Sequence, residues 1–462
     1  MNRLLIKNGY IVTMNASRDE FIGDILIEDD TIKAISKEIS IECDNVIDAT
    51  GKVVIPGLIQ SHVHLTQTLF RGQGDDLELM DWLRNKIWPL EGSHTAESNY
   101  VSAKLGIAEL IKGGTTSIID MATVNHTEKI MEAIDETGFR ALVGKCMMDM
   151  GDADKRLMEE TRASIDQSVA LLEKWHGAAE GRITYAFAPR FVISCSEELL
   201  LEVKDLADKY DVMVHTHASE NQGEIAIVEE RHGQRNIDYL HSIGLTGERL
   251  VLAHCIWLSE NEMKILAETG TKVAHCPSSN LKLASGIAKI PEMLEMGINV
   301  SLAADGAPCN NNLDMFTEMR NASLIQKARL LDSTVMPAQK IFELATLGGA
   351  KAMCKEDELG SLEAGKKADV VIIEQNNIHS VPTNTVNVIA NLVFSTRASD
   401  VQTTIINGKV LMLDRVLQTI NEEELIKDVN RVIEEQVIAS GIVRWMWKMF
   451  LKLSRWLNVM NT

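Results

Sequence analysis

The amino-acid sequence predicts an α/β protein, in which a (β/α)₈ barrel is combined with a small β domain that both chain ends build together. Three observations lead to this prediction. Short β-type runs fill the first 57 residues, helical stretches alternate with short apolar runs from about residue 95, and β-type runs return after about residue 360. Strands that alternate with helices at this spacing are typical of βαβ units and a parallel sheet.

The two chain ends have the character of an antiparallel β domain. The N-terminal runs are "RLLIKNGYIV", "DILIEDDTIKAIS" and "NVIDATGKVVIPG", with Asn-Gly, Asp-Asp and Thr-Gly pairs as turn signals. The C-terminal runs are "KKADVVIIE" and "VQTTIINGKVLM". We therefore expect residues 1–54 and 361–415 to form one domain, and residues 416–462 to form a helical extension.

The central region supplies the strands of the barrel. Its apolar runs are "VVIPGLIQSHVH", "TTSIID", "RALVGKCMM", "RITYAFAPR", "DVMVHTH", "RLVLAHC", "TKVAHC" and "INVSLAAD". Helical stretches such as "ESNYVSAKLGIAELIKGG" separate them. Eight strands of this kind fit a closed (β/α)₈ barrel over residues 55–360.

Composition and charge exclude several classes of protein. The chain has 462 residues, of which 45% are hydrophobic and 24% charged, the balance of a globular protein with a large core. A net charge of −20 argues against nucleic acid as a partner. No apolar run reaches membrane-spanning length, and the first residues lack the apolar segment of a signal peptide. Seven dispersed cysteines without a CxxC pair indicate reduced thiols, so we expect a cytoplasmic protein.

The last 21 residues, "IVRWMWKMFLKLSRWLNVMNT", predict a basic amphipathic helix. Arg444, Lys448, Lys452 and Arg455 recur at helical spacing beside a stripe of Trp445, Met449, Leu453 and Trp456. Such a helix either lies on an anionic membrane or packs on the barrel or on a partner subunit. Because the whole chain is strongly acidic, we favour packing over membrane contact.

Six polar residues stand at the C-terminal ends of the apolar runs. They are His62, His64, His217, His254, His275 and Asp305. In a (β/α)₈ barrel the active site is built at that end of the strands. The sequence therefore predicts that these side chains meet in one active site.

The pattern of these residues predicts a catalytic metal. His62 and His64 lie two apart in "SHVH", so that they project from the same face of a strand. With His217 and Asp305 they offer three nitrogens and one oxygen, and leave a position open for water. A divalent metal bound in this way lowers the pKa of that water toward neutrality.

Two further residues are candidates for proton transfer. Glu220 follows His217 by three residues in "HASE", where its carboxylate can act as general acid and base. His254, in "LAHC", is a second base or a group that orients the water. We expect His215 and His275 to have supporting roles.

Taken together, these motifs resemble the amidohydrolase superfamily. The resemblance rests on "PGLIQSHVHL", "HASE", "LAHC", "AHCPSSNLKLASGIAKIPEMLEMGINVSLAADGAPCNNN" and "LATLGGAKAM", and it extends to about residue 420. It implies a barrel with a β-sandwich from both chain ends, and one divalent metal, zinc or in some members iron. It also implies His62, His64, His217 and Asp305 as ligands, Glu220 as proton shuttle and His254 beside the water. We further expect a homo-oligomer, a dimer or a tetramer.

The resemblance also suggests substrate-binding residues. Glu91, in "NKIWPLEGS", matches a glutamate that binds ribose hydroxyls in the adenosine-type deaminases. Arg190, in "APRFVISCS", stands where those enzymes have a histidine and is similar to an arginine of guanine deaminases that meets an oxo group. Arginine only donates hydrogen bonds, which favours an oxo group. Arg156, in "KRLMEE", corresponds to a substrate-contacting arginine of the methylthioadenosine enzymes.

The predicted activity is the metal-dependent hydrolysis of the exocyclic amine of a purine-type ring, with release of ammonia. The expected substrate is an adenine nucleoside such as methylthioadenosine, S-adenosylhomocysteine or 5′-deoxyadenosine. The alternatives are deamination of guanine, another oxo-aminopurine or a pterin, and hydrolysis of a triazine. A non-catalytic barrel is disfavoured because every expected ligand and Glu220 are present.

Overall fold

The structure, a computed structural model, describes residues 3–43, 45–383 and 387–442. Its strands are β1 (Arg3–Val12), β2 (Glu20–Glu28), β3 (Thr31–Ser36), β4 (Asn45–Asp48), β5 (Lys52–Pro56), β6 (Leu58–Val63), β7 (Thr115–Met121), β8 (Arg140–Gly144), β9 (Cys146–Met147), β10 (Ile183–Pro189), β11 (Met213–Ala218), β12 (Leu250–His254), β13 (Lys272–His275), β14 (Val300–Leu302), β15 (Val370–Glu374), β16 (Val401–Ile406), β17 (Lys409–Leu413) and β18 (Val416–Leu417).

The α-helices lie mostly between the strands of the central region. They are α1 (Leu79–Trp82), α2 (Trp88–Glu91), α3 (Ala96–Lys112), α4 (Thr127–Thr137), α5 (Thr161–Trp175), α6 (Glu197–Tyr210), α7 (Gln222–His232), α8 (Asn236–Ser242), α9 (Glu260–Thr269), α10 (Pro277–Lys282), α11 (Ile290–Glu295), α12 (Ala307–Asn310), α13 (Met315–Leu330), α14 (Ala338–Glu343), α15 (Gly349–Ala352), α16 (Val388–Phe394) and α17 (Glu422–Ser440). Short 3₁₀ or π turns are Leu65–Phe70, Leu83–Ile87, Val192–Ser194, Leu344–Gly348 and Ala398–Asp400.

Eight parallel strands form the barrel. Their order around it is β6, β7, β8, β10, β11, β12, β13 and β14, and β9 adds to the edge of β10. Strands β6 and β7 are buried along their whole length, as expected for parallel strands that helices cover. The first and last strands meet where Val63 pairs with Asp305, and the Asp305 N–H donates to the His62 carbonyl at 3.1 Å. The predicted fold class is confirmed.

The apolar run "VVIPGLIQSHVH" serves two sheets rather than one barrel strand. Its first part belongs to β5 in the terminal sheet, and its second part is β6 of the barrel. Gly57 separates the two. A Cβ atom on Gly57 would lie 1.9 Å from Thr116 Oγ1, so the chain can turn from one sheet into the other only with glycine at this position.

Both chain ends build the second sheet. Its order is β18, β17, β16, β15, β5, β1, β2 and β3, with β4 beside β1. The sheet curls back on itself, because Ile32 donates to the Lys366 carbonyl at 2.9 Å and accepts from Gly365 N–H at 2.8 Å. An apolar core that includes Ile6, Ile25 and Ile372 fills the space inside. The exact domain boundaries stay a prediction.

A buried ion pair joins the sheet to the barrel. Arg140, at the start of β8, donates to both carboxylate oxygens of Asp369, at 3.1 and 3.0 Å. Asp369 also accepts from the backbone N–H of Asn407 at 2.8 Å. Both charged side chains are about 5% exposed. The pair therefore holds the segment before β15 against the wall of the barrel.

The described part of the C-terminal extension begins with the short strand β18, which pairs with β17 in the terminal sheet. Helix α17 follows, after its N-cap Asn421. The predicted basic helix falls almost wholly on residues 443–462, which lie outside the described residues. Among the described helices, none combines the length and the apolar character that crossing a membrane requires.

We expect Asp369→Ala to lower the free energy of unfolding by about 3–5 kcal/mol, because it leaves the Arg140 charge buried without a partner. Denaturant unfolding, followed by circular dichroism, measures the change. The control is Asp166→Ala, which removes one side of the exposed Arg162–Asp166 pair and should change nothing measurable. Equal midpoints for both variants would contradict this role of the buried pair.

Candidate active site

The predicted residues converge at the C-terminal end of the barrel. The Asp305 Oδ1 atom lies 3.3 Å from His62 Nε2 and 3.4 Å from His64 Nε2, and His64 Nε2 lies 3.3 Å from His217 Nε2. These four side chains come from β6, the residue that follows β6, strand β11 and the segment after β14. Barrel closure therefore brings together ligand candidates that are far apart in the sequence.

The backbone orients the histidine rings. The Nδ1 atom of His64 lies 2.8 Å from the Met121 carbonyl, and that of His217 lies 2.7 Å from the Arg190 carbonyl. Because a carbonyl only accepts, each Nδ1 carries the hydrogen, and each neutral ring presents the lone pair of Nε2. Burial lowers the pKa of His64 to about 4 and that of His217 well below its ordinary value.

His62 has a related arrangement. Its Nδ1 lies 3.0 Å from Nε2 of His215, the buried neighbour on β11. Its Nε2 is fully buried and has no hydrogen-bond partner among the described residues. The expected supporting role of His215 is thus one of holding His62. His275 is also buried but lies apart from these contacts, and neither of its ring nitrogens has a hydrogen-bond partner within the described segments.

Asp305 is held in a strained conformation. Its φ angle is +65°, in the left-handed region that favours glycine. Ser279 Oγ donates to Oδ2 at 2.7 Å, and Gly306 N–H donates to Oδ1 at the same distance. Burial raises the pKa of the Asp305 carboxyl, but the neighbouring histidines more than offset it and hold the pKa well below its ordinary value. The carboxylate is therefore ionised and fixed toward the histidines.

This donor set fits a divalent metal. Two overlapping triplets, His62–His64–Asp305 and His62–His217–His254, have ligand atoms within 4.8 Å of one another. Nitrogen lone pairs and a carboxylate that face one another at 3.3–3.4 Å repel unless a cation lies between them. Imidazole nitrogens with one carboxylate oxygen are typical ligands of a catalytic metal. The cluster is thus a histidine-rich candidate metal site.

Glu220 and His254 lie beside this cluster. The Glu220 Oε2 atom is 3.4 Å from His254 Nε2, and Glu220 Oε1 is 3.4 Å from Ser285 Oγ. His254 Nδ1 lies 2.9 Å from Asn280 Oδ1, which orients the ring. Burial raises the pKa of Glu220 to about 7. Burial lowers the pKa of His254, but Glu220 and Asp305 raise it more, so that the net change is upward.

Glu91 and Arg190 bind each other. Arg190 Nη1 donates to Glu91 Oε2 at 2.7 Å and Nη2 donates to Oε1 at 3.3 Å, while Gln67 Nε2 donates to Oε1 at 2.7 Å. Glu91 is 1% exposed and Arg190 4% exposed. Burial raises the pKa of the Glu91 carboxyl, but Arg190 lowers it below its ordinary value. Two residues predicted to bind substrate separately therefore form one buried ion pair.

Arg156 lies outside the cavity at the cluster, and the described lining of that cavity also lacks Glu91 and His62. Its guanidinium donates to Asp154, to the Pro89 carbonyl at 3.1 Å and to the Ala439 carbonyl at 3.2 Å. The geometry thus gives no support to the predicted substrate contact. Arg156 lies in a loop after β9, and the sequence alone does not reveal that helix α17 packs against this loop.

A cavity opens onto the cluster, with about 430 Å³ of space that includes part of the open solvent at its mouth. Its described lining is apolar on one side and polar on the other. The apolar residues include Leu79, Trp82, Leu83, Phe191 and Leu283, and the polar residues are His64, Gln67, Arg190, His217, Glu220, Glu224, His254 and Asp305. Sequence reasoning did not identify Gln67 or the apolar wall. The position of Gln67, three residues after His64, was the available signal.

Comparison with known proteins agrees with this geometry. The model of the amidohydrolase family matches residues 53–411. The chain is 42% identical over 440 residues to a 5′-deoxyadenosine deaminase of Methanobrevibacter smithii, covering 95% of this chain and 99% of that protein. It is 41% identical over 414 residues to a 5-methylthioadenosine/S-adenosylhomocysteine deaminase of Thermococcus onnurineus, covering 90% and 95%.

A solved structure shows the same architecture. It is a zinc-bound adenosine deaminase from Xanthomonas campestris, 30% identical, with a TM-score of 0.88 and coverage of 94% of this chain and 98% of that one. The resemblance that the motifs predicted is confirmed. The chain belongs to the amidohydrolase family.

Proposed function

We propose that this chain is a zinc-dependent deaminase that hydrolyses the exocyclic amine of an adenine nucleoside, such as 5′-deoxyadenosine or methylthioadenosine, and releases ammonia. The observation that carries the proposal is the identity of 42% and 41%, over nearly whole chains, to relatives named as deaminases of these nucleosides. The geometry of the site is what such a reaction needs.

His62, His64, His217 and Asp305 would hold the metal. Each is buried or nearly so, and the contacts of His64, His217 and Asp305 with the backbone or with Ser279 fix their orientation. A bound divalent metal lowers the pKa of a coordinated water and so supplies hydroxide at neutral pH. The zinc-bound structural relative supports zinc, and iron is the alternative.

Glu220 is placed to move protons. In the reaction a water oxygen bonds to the ring carbon, the bond from that carbon to the amine breaks, and ammonia leaves. One proton of the water ends on the adjacent ring nitrogen and the other on the amine. A carboxyl with a pKa of about 7 can both accept and donate a proton near neutral pH. His254 Nε2 lies 3.4 Å from Glu220 Oε2, close enough to stabilise the Glu220 carboxylate.

The ion pair favours a nucleoside over an oxo-purine. Arg190 gives two donors to Glu91, so its guanidinium is already engaged. A carboxylate has about four acceptor sites, and Arg190 and Gln67 use three of those of Glu91. Glu91 itself is not among the described residues that line the cavity, so its expected contact with a ribose hydroxyl rests on the family resemblance. Deamination of guanine stays the second candidate because Arg190 also lines the cavity.

A substrate panel tests the proposed activity. We expect the zinc-loaded protein to release ammonia from 5′-deoxyadenosine and methylthioadenosine with higher kcat/KM than from adenine, guanine, a pterin or an aminotriazine, since only the nucleosides offer ribose hydroxyls. An enzyme-coupled ammonia assay measures this. A preference for guanine would support the second candidate, and chloride release from a chlorotriazine would support the hydrolase alternative.

The metal ligands are tested by replacing the carboxylate. We expect about one divalent ion per wild-type chain, and Asp305→Ala should lose both the ion and the activity, because the histidines alone would not neutralise or fix it. Elemental analysis and the ammonia assay measure both effects. Asp332→Ala, at an exposed aspartate, is the control. Full activity in a metal-free Asp305→Ala protein would exclude this site.

Replacement of Glu220 separates proton transfer from metal binding. Glu220→Gln keeps the shape of the side chain but removes its titration, so we expect kcat to fall by ~10²-fold or more with the metal content unchanged. Glu229→Gln, on the exposed side of α7, should behave as wild type. Loss of metal from Glu220→Gln would instead identify Glu220 as a ligand.

A further inference from the structure

One wall of the cavity is a helical segment in which a π turn interrupts the α-helix. Residues 79–91 run as α1, a π turn at Leu83–Ile87 and α2, and then end at Gly92. Leu79, Trp82 and Leu83 line the cavity, and Glu91 is the last helical residue. We call residues 79–91 the wall helix. The last carbonyl groups of a helix lack partners within it, so other parts of the chain must satisfy them.

Helix α17 adds a hydrogen bond to one of these carbonyls from outside the barrel. The Leu90 carbonyl also accepts from Ser93 N–H at 3.1 Å and from Ser93 Oγ at 2.8 Å. Gln436 Nε2 donates to the Leu90 carbonyl at 3.0 Å and to Ser93 Oγ at 3.0 Å. Gln436 is 3% exposed, in a helix whose other face carries exposed charges. This buried amide hydrogen-bonds to Leu90, the residue before Glu91, and therefore restricts movement of the end of the wall helix.

Arg156 satisfies a second carbonyl and joins the two helices. It donates through Nη2 to the Pro89 carbonyl and through Nη1 to the Ala439 carbonyl near the end of α17. Asp154 holds the guanidinium through Nε at 2.9 Å and through Nη2 at 2.6 Å. A Cβ atom on Gly92 would lie 3.1 Å from Arg156 Nε, which shows how closely the side chain covers the helix end.

We infer that Gln436 and Arg156 are positioning residues that hold the wall helix, which lines the cavity through Leu79, Trp82 and Leu83 and ends at Glu91, in place for the nucleoside. Helix α17 thus supports the substrate site from outside the cavity. This inference rests on the proposed function. The predicted effect is on substrate binding and not on the chemical step, because Gln436 and Arg156 do not contact the strand ends that carry the metal-ligand candidates and Glu220. Loss of either positioning residue should therefore weaken substrate binding and leave the chemical step intact.

The variant Gln436→Leu removes the hydrogen bonds and keeps the volume. We expect KM for the best nucleoside of the panel to rise about fivefold, the effect of one lost hydrogen bond, with kcat and metal content unchanged. Arg156→Lys, which cannot reach both carbonyls with a planar fork, should show a smaller rise in KM. Arg431→Gln is the matched control, since Arg431 lies on the same helix and its ion-pair partners among the described residues are Glu97 and Asp428.

Coupling to Glu91 distinguishes positioning from general stability. In a Glu91→Gln background, Gln436→Leu should raise KM much less than in the wild type, because it acts through Glu91. An equal rise in both backgrounds, an equal rise in Arg431→Gln, or an unchanged KM in a folded Gln436→Leu protein would overturn the inference.

Hydrogen exchange tests the same inference without any activity. We expect faster amide exchange at residues 79–93 in Gln436→Leu than in Arg431→Gln, with exchange in the barrel strands unchanged. Equal protection in the two variants would overturn the inference. If the wild type deaminates no nucleoside, the proposed function fails, and the exchange experiment alone decides whether α17 holds the wall helix.

Discussion

The hydrogen bond from Asp305 N–H to the His62 carbonyl closes the barrel and assembles the site in one contact. His62 lies at the end of the first barrel strand, and Asp305 follows the last. The strained φ angle of Asp305 turns its carboxylate back toward His62 and His64 while its N–H completes the ring. Strain of this kind persists only where the surrounding structure determines it, and here the eight-stranded ring does so. The chemistry therefore depends on closure of the fold.

The ends of the barrel strands could be predicted from the sequence because two patterns coincide there. An apolar run of strand length ends, and a polar residue stands at its last position. Apolar runs of strand length identify the strands, and each polar residue that ends a run must lie at the same end of a parallel barrel. His64, His217, His254 and Asp305 all lie where this argument placed them. The division of one apolar run between two sheets was not predictable in the same way, because it depends on the space around Gly57, which only the packing of Thr116 reveals.

The contacts of single charged residues were harder to predict. Glu91 and Arg190 are 99 residues apart and look like independent substrate ligands in the sequence, whereas the fold buries them together. Burial of either charge alone would be strongly unfavourable, so the pair is a requirement of the fold as much as of binding. Arg156 shows the same limit, because its partners Pro89 and Ala439 come from two distant helices. The sequence pattern predicts where a helix or strand lies along the chain, but it does not predict which distant loops and helices contact that element.

Arg190 contacts both the candidate metal site and the wall helix, the first through its backbone and the second through its side chain. Its backbone carbonyl orients the ring of His217, and its guanidinium holds Glu91 in the wall helix. A change of side chain at this position would keep the carbonyl, and with it the orientation of the metal-site histidine, while it released or repositioned Glu91. The orientation of His217 in the candidate metal site therefore does not depend on the side chain at position 190, whereas the position of Glu91 does.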